Sequence, residues 1–302
     1  MNPLSPLAPD AKVEHVRTYE TEQLCREWLQ TYQIDVASEF EPGVKVEKYR
    51  CTRSGLGFFS PPSLEGSAKL YDDLAKFDWY YIADKWEYSV ALEYIKPGQR
   101  ILEVGCGSGA FLKKAAAFGC KPVGLEINPK VAEVDGKDGY VLRRQLLGDY
   151  ITQNPEPFDV VCSFQVLEHI AEPLEFLRDC VKAVRPGGLI LLGTPNANSF
   201  LQHAHNLLDL PPHHMGHWSS QTYSFLQTIL PVQLKFERYE PLAPYHVEYY
   251  MDTMHAYYSK TKNVRASLHT GMGRKLTRLA LNAGLRRYIK GQSMLAGFTR
   301  NN

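Results

Sequence analysis

A chain of 302 residues is long enough to bury a full core, and its length fits one large domain with appendages. Its 34 Lys and Arg against 33 Asp and Glu leave no overall basic field, which argues against a nucleic-acid binder, and no run of about 18 apolar residues offers a membrane span. The opening MNPLSPLAPDAK lacks the basic start and apolar core of a secretory signal, so a cytoplasmic location is expected, with six scattered cysteines reduced and mostly buried.

Residues 1 to about 14 read as irregular. Leu24, Trp28 and Tyr32 then recur at helical spacing, and VEKYRCTRSGLGFFSPP predicts a hairpin ended by Pro61 and Pro62. These pieces are expected to form a small amino-terminal lobe over residues 1–66, with a second unit from 67 to 302. The segment from Ser67 to Tyr94 is dense in aromatics at helical intervals; most belong to the core, and Tyr81 is placed among those that wall a cofactor.

The stretch RILEVGCGSGAFL, residues 100–112, reads as a buried strand, a glycine-rich turn and a helix. Gly105, Gly107 and Gly109 leave bare backbone for a ligand, Cys106 lies inside the same turn, and the first helical N–H groups suit an anion. Gly-x-Gly-x-x-Ala is also the weak form of a dinucleotide fingerprint, so the turn alone does not separate a nicotinamide cofactor from S-adenosylmethionine. Glu103 tips the balance, because a carboxylate there repels a pyrophosphate and can receive an ammonium group.

Beyond the turn the pattern alternates strand and helix, as a parallel sheet covered on both faces requires. PVGLEIN is the second strand, with Glu126 placed to take the two hydroxyls of a ribose and Ile127 and Asn128 beside it. YVLRRQLLGDY is read as a third strand with Asp149 near its end. FDVVCSFQVLEHI is the fourth, passing at its carboxyl end into Gln165, Glu168 and His169. A helix over EPLEFLRDCVKAV, stopped by Arg185-Pro-Gly-Gly, leads to LILLGTPN, the fifth. Five of the ten histidines then crowd into His203–His217. A helix over SSQTYSFLQTIL, a strand over VQLKFER, a helical insertion over 241–290 and a last strand, GQSMLAGFTR, complete the chain.

LEVGCGSG, GLEIN, FDVVCSFQVLEH and VRPGGLILLGTPN, in that order and spacing, resemble the class I S-adenosylmethionine-dependent methyltransferases, over about residues 68–240 plus the final strand. LEH after the fourth strand and PPHH after the fifth resemble the group containing ubiquinone-biosynthesis O-methyltransferases and methyltransferases of polysaccharide and antibiotic gene clusters. The resemblance implies a Rossmann-like α/β fold, doubly wound, with a seven-stranded sheet whose last strand is antiparallel and inserts before the sixth. It implies that Glu103, Gly105 and Gly107 hold the methionine end of S-adenosylmethionine and Glu126 the ribose, that Ile127 packs on the adenine with Asp149 near its amino group, and that Gln165 lines the site beneath the sulfonium. The amino-terminal hairpin resembles one that some relatives build as a zinc ribbon, but Cys51-Thr-Arg-Ser54-Gly has lost a thiol, so a metal-free lobe is expected.

The acceptor is expected to be a small molecule carrying a hydroxyl on a sugar, polyketide or ring, and a phosphate- or lipid-linked acceptor is left open. His213 and His214, on a loop stiffened by two prolines, and His169, just past the fourth strand, are candidates for the base that takes the hydroxyl proton; the loop histidines could instead pack, or together hold a metal. The segment Arg274–Lys290 carries Arg and Lys without an intervening acid, with Leu276, Leu279, Ala280 and Ala283 read as a stripe packed on the domain. Two other readings stay open: a methyltransferase-like protein that binds without catalysing, and a nicotinamide-dependent oxidoreductase.

Overall fold

Apolar residues alternate between two faces along each central strand. Leu102, Val104, Val161, Ile190 and Leu192 belong to one buried cluster, while Ile101, Val160, Cys162, Phe164 and Leu191 belong to another. Residues two apart share a face of a strand, so both faces of the sheet are covered. The computed structural model describes residues 3–80 and 82–302.

The amino-terminal part contains β1 (Val13–Tyr19), α1 (Thr21–Tyr32), β2 (Val46–Cys51) and β3 (Gly57–Ser60). The aromatic segment that follows is two short helices, α2 (Ala68–Leu74) and α3 (Trp86–Leu92). The central part runs through β4 (Arg100–Val104), α4 (Ala110–Ala117), β5 (Lys121–Leu125), β6 (Val134–Asp135), β7 (Val141–Arg143), α5 (Leu147–Gln153), β8 (Phe158–Phe164), α6 (Pro173–Ala183) and β9 (Val184–Pro195). It continues with β10 (Gly216–His217), α7 (Ser220–Leu226), β11 (Val232–Pro241), α8 (Val247–Lys260), α9 (Gly271–Asn282) and β12 (Lys290–Arg300).

The larger sheet has the order β11-β12-β9-β8-β4-β5-β7-β6. Its centre is parallel, and β12 lies between β11 and β9, antiparallel to both. The last strand therefore inserts beside the sixth, as the family resemblance implies. The sheet has eight strands where seven are expected, because the two-residue β6 adds antiparallel to β7 at one edge. α3 and α4 pack on one face through Tyr88, Ala91, Phe111 and Ala115, and α5, α6 and α7 cover the other.

Three local readings need correction. The third strand is only Val141–Arg143, and Leu147–Gln153 is a helix whose buried Leu147 and Tyr150, three apart, share its inner face. No strand is expected between the irregular residues 1 to about 14 and the hairpin, yet Val13–Tyr19 is a strand paired antiparallel with β2. The fifth strand begins at Val184, so the Arg-Pro-Gly-Gly stretch lies inside it.

The amino-terminal sheet has the order β1-β2-β3-β10, and its outermost strand comes from the histidine loop through Gly216↔Phe58 and His217↔Gly57. Its core joins Leu24, Trp28, Val46 and Phe59 to Leu70, Leu74, Leu207, Leu210 and Met215. The turn before β3 is closed by the Ser54 amide, which donates to Cys51 Sγ at 3.4 Å. Cys51, Cys106, Cys120, Cys162 and Cys180 are buried, Cys25 is half-buried, and all six are free thiols. No helix among the described residues is long and apolar enough to cross a membrane.

Candidate functional site

β4 delivers Glu103 to the carboxyl end of the sheet on the face covered by α3 and α4. Its side chain is fully buried, and Oε2 has no hydrogen-bond partner among the described residues. Burial pushes the carboxyl well above its ordinary range, Lys85 pulls it down, and Glu126 pushes it further up. A carboxyl this costly to ionise alone suits an arriving cation that replaces its proton.

The turn after Glu103 is held by the amides of Gly105 and Cys106, which both donate to Leu125 O at 2.8 and 3.0 Å. Gly105 has φ +75°, and a Cβ there would lie 2.4 Å from Val166 Cγ2. Bare backbone is therefore required where the turn meets the end of β8. Cys106 is buried with its thiol pushed up by burial, and Gly109 opens α4 as its N-cap.

Glu126 stands at the end of β5, half-buried. Its Oε2 accepts from the Gly107 amide at 2.8 Å, and its Oε1 accepts from the amides of Ile127 and Asn128 at 2.8 and 2.9 Å. Three of about four lone-pair sites are thus used, so a ribose held through both hydroxyls has to take over the Gly107 bond. Ile127 is exposed beside it, Asn128 caps the next turn by accepting from the Lys130 amide, and Asp149 is exposed in the first turn of α5. Tyr81, assigned by the sequence to the same cleft, lies outside the described residues. The orphaned carboxyl of Glu103, the glycine cradle and the remaining capacity of Glu126 fit a cofactor with an ammonium group and a ribose.

At the end of β8, Gln165 has φ +58° and donates through Nε2 to Glu87 Oε1 at 2.5 Å. Glu87, buried on α3, was not singled out from sequence; it looks like one polar member of an aromatic helix until α3 is seen packed on the sheet.

Glu168 is buried, and neither of its oxygens has a hydrogen-bond partner among the described residues. His169 Nε2 stands 3.8 Å from Oε1. Burial lifts the Glu168 carboxyl to about 8. The backbone at this point anchors the histidine loop, since the amides of Met215 and Gly216 both donate to Glu168 O at 2.6 and 2.9 Å.

The loop histidines do different things. His213 Nδ1–H donates to Leu208 O and its Nε2 accepts from Tyr80 O–H, both at 2.8 Å, so both nitrogens are engaged. His169 Nδ1–H donates to His213 O at 2.7 Å. His217 Nε2–H donates to Asp209 O at 2.6 Å. His214 Nδ1 lies 3.5 Å from Asp209 Oδ1. Burial holds all four imidazoles below their ordinary value, His169 and His217 near 4. Ring nitrogens of His169, His213 and His214 lie within 4.8 Å of one another, close enough to share a cation. His203 and His205 are elsewhere, stacked on Tyr257 and paired with Glu27.

His214 and His217 also line a cavity of about 270 Å³ between the amino-terminal sheet and the chain leaving β9, with Arg17, Lys48, Asn196 and Asp209 on its other walls. Lys48 is lowered to about 8 by burial, with Asp209 drawing it up and Arg17 pressing it down. Lys48 was invisible to sequence reasoning. On β2 it sits between Glu47 and Tyr49 and reads as a solvent-facing residue until the 195–217 segment covers it.

The buried acid and imidazoles give folding a definite pH dependence. Folded Glu168 keeps its proton up to about pH 8, whereas an unfolded glutamate releases it near 4.5, so rising pH favours unfolding through that window. His169 and His217, near 4 in the fold, act in the opposite sense only between about pH 4 and 6.5. Unfolding free energy is therefore expected to fall as pH rises from about 6.5 to 8, and Glu168→Gln to flatten that fall. Urea melts at a series of pH values measure it; equal slopes in both proteins would mean that Glu168 ionises in the fold as freely as in solution.

Residues 76–231 match a family model described as a methyltransferase domain. A ubiquinone biosynthesis O-methyltransferase of Maricaulis maris (strain MCS10) is 38% identical over 108 residues, covering 34% of this chain and 42% of the relative. The enzyme of the same name from Xanthomonas campestris pv. campestris (strain B100) is 34% identical over 113 residues, covering 35% and 47%. The chain thus spans less than half the length of these relatives. Among solved structures, a SAM-dependent methyltransferase from Archaeoglobus fulgidus aligns with a TM-score of 0.45 at 16% identity, over 78% of this chain and 96% of that one. Another from Geobacter sulfurreducens, in complex with S-adenosyl-L-homocysteine, aligns with a TM-score of 0.42 at 14% identity, over 72% and 92%.

Proposed function

The chain belongs to the class I S-adenosylmethionine-dependent methyltransferases, and from that premise we propose that it transfers a methyl group to a hydroxyl oxygen of a small sugar, polyketide or ring metabolite. The buried, unpartnered carboxyl of Glu103 beside the glycine turn is the observation that carries the cofactor half of this reading. Oxygen as the acceptor atom is supported by the curated relatives, which are named O-methyltransferases, and by a cavity whose walls offer imidazole, amide and cationic groups.

S-adenosylmethionine supplies a methyl group already activated by the positive charge on sulfur, so the protein's work is alignment, exclusion of water and removal of a proton. Glu103 receives the ammonium group and Glu126 the ribose. Glu87 fixes the amide of Gln165 at the end of β8. His214 is the base. Burial keeps its imidazole neutral, and Asp209 beside Nδ1 favours a proton there, leaving Nε2 to accept one from the acceptor hydroxyl. His213, with both nitrogens bonded, holds the loop in shape, and the amide anchors on Glu168 O tie that loop to the end of β8.

Calorimetry with S-adenosylmethionine, S-adenosylhomocysteine and NAD tests the premise: the first two bind and NAD does not. Glu126→Ala removes a charged acceptor worth about 1.5–3 kcal/mol per hydrogen bond, so cofactor affinity is expected to drop at least about tenfold. NAD binding with hydride transfer would replace this reading by an oxidoreductase. Cofactor binding without methyl transfer across a panel of hydroxylated acceptors would favour a binding protein.

A further inference from the structure

The insertion between β11 and β12 turns the apolar side of a helix outward. Met272, Leu276 and Leu279 of α9, spaced i, i+4, i+7 and so on one face, are 69%, 61% and 68% exposed. The inward side carries Arg274 and Arg278, which pair with Glu248 and Asp252 of α8, and Leu281, which is buried in the small core of the insertion. The apolar stripe expected to pack on the domain is therefore the one that faces solvent, because ion pairs and a single leucine take the inner face.

The exposure extends past the helix. Of the seventeen large apolar residues exposed among the described residues, seven fall between Val264 and Tyr288; Val264 and Tyr288 themselves are 87% and 86% exposed, and Leu268 and Leu285 complete the set. So many exposed apolar residues within one segment of the chain are the kind of concentration an interaction surface presents, since singly scattered exposure is ordinary. Residues 264–290 also carry seven Lys and Arg and no Asp or Glu. Arg274 and Arg278 are neutralised by α8, while Arg265, Lys275 and Arg287 have no carboxylate partner among the described residues.

We propose that this outward face of the 264–288 segment docks on an anionic lipid bilayer, with the apolar residues entering the headgroup boundary and Lys275, Arg265 and Arg287 meeting lipid phosphates. Charge selects this occupant. A second copy of the chain on the same patch brings cations against cations with no acid on either side, whereas an anionic leaflet complements both the charge and the apolar stripe. The surface is also tied to the proposed acceptor cavity: α8 packs on the Phe200–His203 turn, with His203 stacked on Tyr257 at 3.7 Å, and Leu201 and Gln202 of that turn line the cavity. The proposal does not depend on the identity of the methyl acceptor.

Flotation of the whole chain with vesicles tests it. Binding to vesicles of phosphatidylcholine with a quarter phosphatidylglycerol is expected to exceed binding to phosphatidylcholine alone by at least about tenfold, and to weaken several-fold between 0.1 M and 0.5 M salt. Met272→Ser combined with Leu276→Ser and Leu279→Ser, all at exposed positions, should keep the thermal midpoint and lose about tenfold or more of vesicle binding. Lys275→Gln with Arg287→Gln should lose several-fold on the anionic vesicles alone. Wild-type protein that ignores anionic vesicles, or a folded triple variant that binds them as well as wild type, overturns the proposal. So does a wild-type dimer, seen by sedimentation, that the triple variant dissolves while vesicles make no difference.

Discussion

His214→Ala is expected to lower turnover by about 10² to 10⁴ while leaving S-adenosylmethionine affinity within about twofold. The size follows from the role: a positioned base contributes this much where an acceptor hydroxyl must lose a proton as its oxygen attacks. The split follows from place, since His214 lines the cavity on the amino-terminal side, whereas the residues proposed to hold the cofactor, Glu103, Gly105 and Glu126, are not among those lining it. The pH profile gives a second readout. Burial holds the His214 imidazole well below its ordinary value, so the loss of wild-type turnover in acid should set in below the pH of an ordinary imidazole, and the variant should gain activity toward alkaline pH as hydroxide replaces the lost base. His213→Ala is the contrasting case. Its ring is bonded at both nitrogens, so its loss should lower stability along with activity. A folded His214→Ala enzyme with near-normal turnover and an unmoved pH profile would remove His214 from the chemistry.

Gly105→Val is expected to abolish measurable cofactor binding, a loss of about 100-fold or more, and to lower the thermal midpoint by several degrees. Two physical terms add. A β-branched residue at φ +75° takes a backbone conformation that costs about 1–2 kcal/mol. Its Cβ would also stand 2.4 Å from Val166 Cγ2, so the turn has to leave the end of β8. That displacement moves the Gly107 amide away from Glu126 and the whole cradle with it. Gly105→Ala keeps the first term and the same Cβ contact without the extra branch, and should bind weakly rather than not at all. Calorimetry on both variants, with circular dichroism to establish folding, decides the matter; unchanged affinity in folded Gly105→Val would mean that the ligand does not lie against this turn.

The parts of the fold that were legible are those where burial on both faces leaves a nearly continuous apolar run, broken only by Glu103 and Ser163. Ile101–Val104, Val160–Phe164 and Ile190–Leu192 read directly as strands because no solvent face interrupts them. β1 escaped for the converse reason: six of its seven residues are not buried, and VEHVRTY acquires strand character only by pairing with β2. YVLRRQLLGDY overran because Leu146 and Leu147 look like strand residues, while the helix they enter is defined by burial three residues apart. The residues proposed for the cofactor side lie in short local stretches, Glu103–Gly109 and Glu126–Asn128, so a sequence pattern can nominate them. The cavity side assembles Arg17 and Lys48 with Asn196, Asp209 and His214, residues far apart in sequence, and no short pattern links them. For α9 the periodicity was visible and its direction was not, since an amphipathic stripe does not say which side carries the anchoring ion pairs.

The strand pairing of Gly216 and His217 with Phe58 and Gly57 has a consequence for synthesis. The hairpin of β2 and β3 leaves the ribosome early, yet its outer neighbour is made about 155 residues later. At roughly 5–20 residues per second the nascent chain carries an open, aromatic strand edge for on the order of ten to thirty seconds. Unpaired edges of this kind invite pairing with other chains. The same closure that seats the histidine loop therefore leaves this hairpin in need of chaperone cover while translation is under way.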